Sequence, residues 1–212
     1  MSDQEHPARA ALRRVPTQAR ARQKVDRALD AAESLLEREG VRAITLPRVA
    51  EEANISVGAL YQYLPDRDAI VAALSATYYA RLESLMDTLV AELSSTRPPD
   101  PVGAVVSAFA RFYRTQAGTR ATRAMLQGSG QLTLAREHKL RMVGKVQTLL
   151  IALGMIAPDD PETVAHTAFF AADAIIHEAF ADDDYGDPAL LGELTAMLRA
   201  YLEERVVAGS GH

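Results

Sequence analysis

The segment 56–64 carries side chains of the kinds that contact double-stranded DNA, and we predict that it forms one short helix. At about 100° per residue, Leu60 and Leu64 lie on one side of such a helix, where they would point toward a core. The opposite side consists of small residues and one amide, Gly58, Ala59 and Gln62. Small residues allow a base-pair edge to approach closely, and a glutamine amide can pair with adenine through two hydrogen bonds.

Hydroxyl and guanidinium groups flank this face, and such groups can bind phosphates, which sets register without reading sequence. The predicted DNA-binding residues are Thr45, Arg48, Ser56, Val57, Gly58, Ala59, Tyr61, Gln62, Tyr63 and Arg67, together with Arg20, Arg22 and Lys24 of the preceding helix. The alternative for this segment is an ordinary helical hairpin whose tyrosines are solvated, because helix-turn-helix geometry also occurs in proteins that bind no DNA.

The elements around this helix are predicted from capping residues. Thr45 and Ser56 each have the chemistry of an N-cap. Each follows an isoleucine and is followed four residues later by an apolar residue, the spacing of a hydrophobic staple: the pairs are Ile44 with Val49 and Ile55 with Leu60. Asn54 can adopt the left-handed conformation that ends a helix. Pro65 removes an N–H and biases Leu64 away from helical geometry, which makes Leu64 the last residue of a short second helix, and Asp66 can cap the next one.

Two longer helices complete this part of the chain. The first is predicted from near Thr17 to Glu39, and its apolar stripe is Val25, Leu29, Ala32 and Leu36. Gly40 is a fitting C-terminal stop for it. The second is predicted over residues 66–94 and ends at a linker rich in serine and proline, residues 94–101.

The net charge of −5 is unevenly distributed. Residues 1–70 carry 11 Lys or Arg and 11 Asp or Glu, whereas residues 71–212 carry 12 and 17. No acidic residue interrupts the basic stretch from Arg9 to Lys24. A local excess of this kind can supply phosphate contacts, and a solvated basic tail is the alternative for Arg9 to Arg14.

Composition excludes several classes of protein. There is no cysteine, so disulfides and thiolate chemistry are excluded. The N-terminus has no apolar segment of the kind found in a secretory signal, and no run approaches the roughly 18 apolar residues that span a bilayer. We therefore expect a cytoplasmic protein without a membrane partner.

The rest of the chain is predicted to be helical, in segments near 101–117, 119–127, 132–153, 160–182 and 188–207, without a sheet. The last two helices have more apolar surface than one neighbour can cover, which predicts burial on more than one side. A homodimer in which the helices near 160–182 and 188–207 meet their copies as a four-helix bundle accounts for this, and a large monomeric core is the alternative.

Apolar and aromatic residues of these helices could line a pocket for a small molecule that is apolar in part. The candidate ligand-binding residues are Met86, Phe109, Phe112, Tyr113, Met125, Phe169, Phe170, Asp173 and His177. Plain core is the alternative for methionines and aromatic residues at helical spacing.

His166, Asp173 and His177 share one helix face and could bind a divalent metal or serve an all-helical enzyme. We expect polar contacts there instead, because no fourth ligand is evident.

The acidic residues 182–187 lack a calcium loop's glycine at the sixth position. We predict no catalytic residues, no metal and no cofactor. A structural protein that binds partners is a third class.

The segment 45–70 resembles the DNA-binding domain of the TetR (tetracycline-repressor) family of bacterial transcription regulators. The matching features are Thr45, Val49-Ala50, the run Ile55-Ser56-x-Gly58-x-Leu60-Tyr61-x-Tyr63, and Asp66-Arg67-Asp68-x-Ile70. The segment departs from the family at Asn54, Leu64 and Arg67, where the family usually has glycine, phenylalanine and lysine.

Residues 1–17, with few apolar residues, are predicted to be a disordered N-terminal arm. The resemblance implies an all-α fold in which a helix-turn-helix DNA-binding domain (18–65) precedes an effector-binding and dimerisation domain (66–207). It also implies a regulator that is not an enzyme. We expect a repressor that binds a palindromic operator as a dimer and is released by a small-molecule effector; the alternative is the enzyme or metal-binding protein described above.

Overall fold

The computed structural model describes residues 12, 19–115, 122, 125–126, 132–159 and 162–209, with the backbone alone over 205–209. Within these residues the protein is all-helical and contains no strand, which confirms the predicted fold class. The helices are α1 Ala19–Glu39, α2 Leu46–Glu52, α3 Val57–Tyr61, α4 Arg67–Thr96, α5 Pro101–Thr115, α6 Leu132–Ala152, α7 Thr163–Ala179 and α8 Pro188–Gly209, and a 3₁₀ turn at Val41–Ala43 joins α1 to α2. None of the described helices is long and apolar enough to cross a membrane.

The chain divides into two compact units, residues 1–81 with 117–135 and residues 82–116 with 136–212. The division falls within α4, so this helix contributes residues to both. Most of the predicted arm (1–17) and most of the predicted helix near 119–127 lie outside the described residues.

The first unit has a core built from α1, α2, α3 and the first part of α4. The predicted stripe of α1 is buried in it, at Val25, Leu29, Ala32 and Leu36. Gly40 follows α1 with a φ of 80°, a conformation that glycine adopts without strain. The Arg81 guanidinium of α4 holds the Glu33 carboxylate of α1 through two hydrogen bonds, of 2.5 and 3.0 Å.

The second unit consists of α5, α7, α8, the part of α6 from Arg136 onward and the part of α4 from Leu82 onward. Leu194, Leu198 and Leu202 of α8 are buried, as are Ala165, Phe169 and Ile176 of α7. The Asp187 carboxylate accepts a 2.8 Å hydrogen bond from the Ala189 N–H and so caps the start of α8. Gly154, after α6, has a φ of 71°. The Met155 N–H donates to the Leu150 carbonyl, which closes a Schellman-type turn.

Two predicted caps of the first unit form and one does not. The Ser56 hydroxyl accepts from the Ala59 N–H at 3.2 Å, and the Asp66 carboxylate accepts from the Ala69 N–H at 2.7 Å. Thr45 occupies the N-cap position of α2 with extended backbone, but its side chain makes no capping bond. The prediction for the Thr45 hydroxyl was therefore wrong. Pro47 in the first turn of α2 already removes one of the N–H groups that a cap would satisfy.

The difference between these caps leads to a stability prediction. Ser56→Ala should lower the free energy of unfolding by about 1 kcal/mol, because the first turn of α3 loses its hydroxyl acceptor. Thr45→Ala is the matched control and should change the free energy of unfolding by less than about 0.5 kcal/mol. Urea denaturation followed by circular dichroism measures both. Equal losses for the two variants would contradict the assignment of the caps.

Candidate nucleic-acid interface and ligand cavity

The turn between α2 and α3 is a Schellman motif centred on Asn54. Asn54 has a φ of 52°, in the left-handed region. The Asn54 N–H donates to the Glu51 carbonyl and the Ile55 N–H donates to the Ala50 carbonyl, which satisfies the last carbonyls of α2. This turn brings the Ser56 cap into place and fixes the direction in which α3 leaves.

Helix α3 buries one side and exposes the other. Leu60 and Leu64 are 1% and 0% exposed, in the core of the first unit, together with Ile44 and Val49. Gly58 and Gln62 are exposed, Ala59 is half-buried, and Tyr61 is 51% exposed. The faces are therefore oriented as the sequence predicted. The predicted extent was wrong, because α3 ends at Tyr61 and Gln62 is its C-cap. The Leu64 N–H still donates to the Leu60 carbonyl, which keeps both leucines on the buried side.

Arg48, one of the predicted phosphate-binding residues, is held by a carboxylate in this structure. Arg48 donates two hydrogen bonds to the Glu39 carboxylate, at 2.6 and 2.8 Å. Arg38 makes a similar pair with Glu52, at 3.0 and 3.1 Å. The hydrogen bond from Arg48 lowers the pKa of Glu39, and the Glu39 carboxylate raises the pKa of Arg48. Both pairs lie at the surface.

The other predicted DNA-binding residues of this unit differ in their exposure and in their hydrogen bonds. Arg67 donates to the Val41 carbonyl at 3.2 Å, and Tyr63 is half-buried against the core. Val57 is 36% exposed at the start of α3. In α1, Arg20 and Lys24 are exposed and Arg22 is half-buried.

The second unit contains a cavity of about 110 Å³. Residues of α4 to α8 line it, most of them aliphatic or methionine: Leu82, Met86, Pro101, Val102, Val105, Val106, Phe109, Tyr113, His138, Met142, Val146, Leu149, Leu150, Leu153, Met155, Ala168, Phe169, Ala172, Asp173, Ile176, Leu198 and Leu202. A cavity of similar size lined by apolar side chains binds benzene in an engineered protein.

Five of the nine predicted ligand-binding residues line this cavity: Met86, Phe109, Tyr113, Phe169 and Asp173. The other four do not line it, and their contact with a ligand stays a prediction. Met125 is 2% exposed and packs in the core of the first unit. Phe170 stacks on His166, with ring centroids 4.4 Å apart, and Phe112 lies edge-on to Tyr113. His177 contacts two lining residues from outside the cavity: its Nε2 is 3.2 Å from the Tyr113 hydroxyl, and its Nδ1 is 3.4 Å from the Asp173 carboxylate.

Helix α6 supplies much of the lining that the sequence analysis missed. Met142, Leu149 and Leu150 face the cavity from it. Their helical spacing was visible in the sequence, but the same spacing is typical of plain core. No feature of the sequence separates a residue that faces a void from one that faces another side chain.

Two polar groups stand out beside the cavity wall. His138 is 5% exposed, and its Nδ1 lies 2.7 Å from the Glu83 carboxylate. Burial lowers the pKa of His138 and outweighs the opposing effect of Glu83. Burial also acts to raise the pKa of Glu83, but hydrogen bonds from Arg141 and His138 outweigh it, so the pKa is lowered. Glu83 therefore stays ionised beside a neutral imidazole at neutral pH.

The three residues of the metal-site alternative are not brought together in the structure. His166, Asp173 and His177 do not converge on one point, since His166 stacks on Phe170 while Asp173 and His177 contact each other. No group of three or more potential ligands is assembled anywhere among the described residues.

A capped helix-turn-helix in one unit and a cavity in the other define an all-helical protein of the helix-turn-helix class. The profile described as "Bacterial regulatory proteins, tetR family" matches residues 28–74, and the profile described as "Tetracyclin repressor-like, C-terminal domain" matches residues 98–202. These two matches together cover well over half of the chain, which belongs to the TetR family of transcription regulators. Members of this family are DNA-binding regulators and not enzymes, so the enzyme alternative is set aside.

Solved structures share the fold at low sequence identity. A TetR-family transcriptional regulator from Streptomyces coelicolor is 23% identical, with a TM-score of 0.64, over 87% of this chain and 98% of that one. The multidrug binding protein EbrR, complexed with imidazole, is 18% identical with a TM-score of 0.64, over 89% and 97%. SmeT, the repressor of the Stenotrophomonas maltophilia multidrug efflux pump SmeDEF, is 18% identical with a TM-score of 0.61, over 84% and 88%. No curated protein sequence matches the chain.

Burial of His138 leads to a pH prediction. Its pKa in the folded protein lies below the ordinary value of 6.5, so the unfolded chain binds this proton more readily. The contribution of His138 to stability is therefore complete above pH 6.5 and is lost as the pH falls through the lowered pKa. Histidine NMR titration should show His138 protonating below pH 6.5, and His138→Gln should reduce the loss of stability between pH 7 and 5. A midpoint at or above 6.5 would contradict the prediction.

Proposed function

We propose that the protein is a homodimeric repressor that binds a palindromic operator and is released by a small, largely apolar effector. The observation that carries the proposal is the exposed face of α3. Gly58 and Gln62 on this face are exposed, whereas Leu60 and Leu64 on the other side are buried and attach α3 to the core. In the proposed complex α3 enters the major groove, where the Gln62 amide can pair with a base edge.

Gly58 supports the close approach of another molecule to α3. A Cβ atom placed at Gly58 would meet nothing within 4 Å, and its backbone is not left-handed. The fold of the protein therefore does not require glycine here. Glycine in a helix interior costs about 1 kcal/mol relative to alanine. A glycine that faces the major groove would offset this cost, because the absence of a side chain lets the DNA approach the helix backbone more closely.

The dimer is proposed from the outer surfaces of α7 and α8. One face of α8 exposes small residues at helical spacing, Ala189, Gly192, Ala196 and Ala200. Met197 beside them is 41% exposed. Small residues allow helices to pack closely, and this face of α8 suits a four-helix bundle that α7 and α8 form with a second copy. The two α3 helices of such a dimer would enter major grooves about 34–36 Å apart.

The effector is proposed to occupy the cavity of the second unit. Met86, Met142 and Met155 in its wall are flexible and can adapt to ligands of different shape. Triclosan is bound to the related fold of SmeT, and ethidium to that of EbrR. We propose that a ligand displaces α4 at Leu82 and Met86, and that α4 carries the change to the first unit, where Ile70, Val71 and Leu74 are buried. The ligand must favour the released state by a few kcal/mol for this to matter.

Selection from a random duplex library tests the proposal. Bound sequences should converge on a palindrome, the complex should contain two protein chains or a multiple of two by analytical ultracentrifugation, and affinity should fall steeply with salt. Enrichment of no sequence, or an affinity that does not depend on salt, would overturn it.

Residues 61 and 62 give a matched pair of variants with different expected results. Gln62→Ala should relax the preference at one base pair in each half-site, because the amide reads a base edge. Tyr61→Phe should instead weaken binding to all sequences alike by about 0.5–1.5 kcal/mol, because one hydrogen bond to phosphate is lost. Repeating the selection and measuring affinity by fluorescence anisotropy separates the two effects. An unchanged specificity profile for Gln62→Ala would show that its proposed role is wrong.

The pair formed by Arg48 and Glu39 leads to a further prediction. If Arg48 binds a phosphate, the Glu39 carboxylate competes for the same guanidinium. Glu39→Gln should then strengthen binding to all duplexes and steepen the dependence of affinity on salt by about one counterion. Glu52→Gln removes the same charge from the neighbouring pair with Arg38 and is the control. Equal effects of the two substitutions would mean that net charge alone is responsible and that Arg48 has no special contact.

A further inference from the structure

The wall of the cavity contains one carboxylate among mostly apolar side chains. Of the 22 lining residues, only Tyr113, His138 and Asp173 have polar side chains. Burial favours the neutral form of His138, so Asp173 alone can bring a fixed charge to the lining. Whether the cavity attracts cations therefore depends on what surrounds the Asp173 carboxylate.

Both oxygens of Asp173 have partners within the protein. Lys139 of α6 donates to Oδ2 at 2.6 Å, and Nδ1 of His177 lies 3.4 Å from Oδ1. The side chains of Asp173 and Lys139 are 18% and 35% exposed, so water only partly screens their interaction. The Lys139 ammonium also lies 5.2 Å from the centroid of the Phe170 ring, a second favourable contact that holds it near Asp173.

The negative charge of Glu83, which contacts His138, is likewise balanced by a cationic side chain. Glu83 accepts hydrogen bonds of 3.0 and 3.1 Å from the Arg141 Nε atom, in addition to its contact with His138. Asp173 in the lining and Glu83 behind His138 are thus each matched by a fixed cation, Lys139 and Arg141 respectively, both from α6. An organic cation that entered the cavity would lose its hydration without gaining an unpaired negative charge, which is unfavourable. A neutral ligand has no such cost.

We propose that the cavity selects neutral, predominantly apolar molecules of about one aromatic ring over cations of the same size, and that Lys139 sets this preference by neutralising Asp173. This inference rests on the proposed function, in which the cavity is the effector site. It makes Lys139 a specificity-determining residue although Lys139 itself does not line the cavity.

Toluene and N-methylpyridinium test the proposal, because they have the same shape and differ in charge. Their affinities for the full-length protein are measured by ligand-observed NMR titration. Lys139→Met keeps the aliphatic stem over Phe170 and removes the charge. Lys145→Met is the matched control, because Lys145 is also on α6 and pairs with Asp87, which does not line the cavity.

The wild-type protein and Lys145→Met should prefer toluene by about tenfold or more. Lys139→Met should bind toluene as before, which shows an intact cavity, and should gain affinity for N-methylpyridinium by about tenfold. The double variant Lys139→Met with Asp173→Asn carries neither charge and should return to the preference of the wild type.

Two results would overturn the inference, and they are distinguishable. If both compounds bind but Lys139→Met leaves their affinity ratio unchanged, Lys139 does not set the preference, while the effector cavity of the proposed function stands. If neither compound binds to any of the variants, the cavity is not a ligand site, and the effector part of the proposed function fails with the inference.

Discussion

Burial of Leu60 and Leu64 is the interaction on which the proposed DNA-binding surface depends. Helix α3 has only five residues, and an isolated helix of that length is not stable in water. It persists because both leucines are fully buried, because Ser56 caps its start, and because Asn54 ends the preceding helix in the left-handed conformation. The core of the first unit therefore does not depend on the exposed side of α3. Its residues can be chosen for contact with a partner, since the opposite side and the two flanking turns determine the geometry.

Charged side chains in both units are held in pairs, and the pairs have different consequences in the two places. Arg48 and Glu39 lie at the surface, where water and salt weaken their attraction, so a polyanion can compete for the arginine at little cost. Lys139 and Asp173 are more enclosed, and separating them would leave a partly buried carboxylate without a counterion. The first pair is therefore suited to exchange of partners, and the second to a constant electrostatic environment in the cavity wall.

Periodicity and capping residues predicted the helices well, but they did not predict which side chains from different helices contact each other. Periodicity and capping residues located α1, α4 and the turn at Asn54, because these depend on residues close in sequence. The end of α3 was missed because Gln62 and Tyr63 form a hydrogen-bonded turn that has the same side-chain directions as a helix. Met125 was assigned to the wrong unit, and the partners of Arg48 and Lys139 were not foreseen. These features depend on how helices pack, which periodicity does not specify.

A cavity of about 110 Å³ limits how an effector could act. In the proposed mechanism, a ligand that the cavity binds equally well in the DNA-bound and released forms would shift nothing. Release by the proposed mechanism therefore requires a ligand whose binding moves Met86 and Leu82 of α4, so that the two forms differ in their affinity for it. Methionine suits this position because its side chain adapts at low cost when the backbone shifts. The size of the ligand relative to the resting cavity, rather than its affinity alone, would then determine whether it acts as an effector.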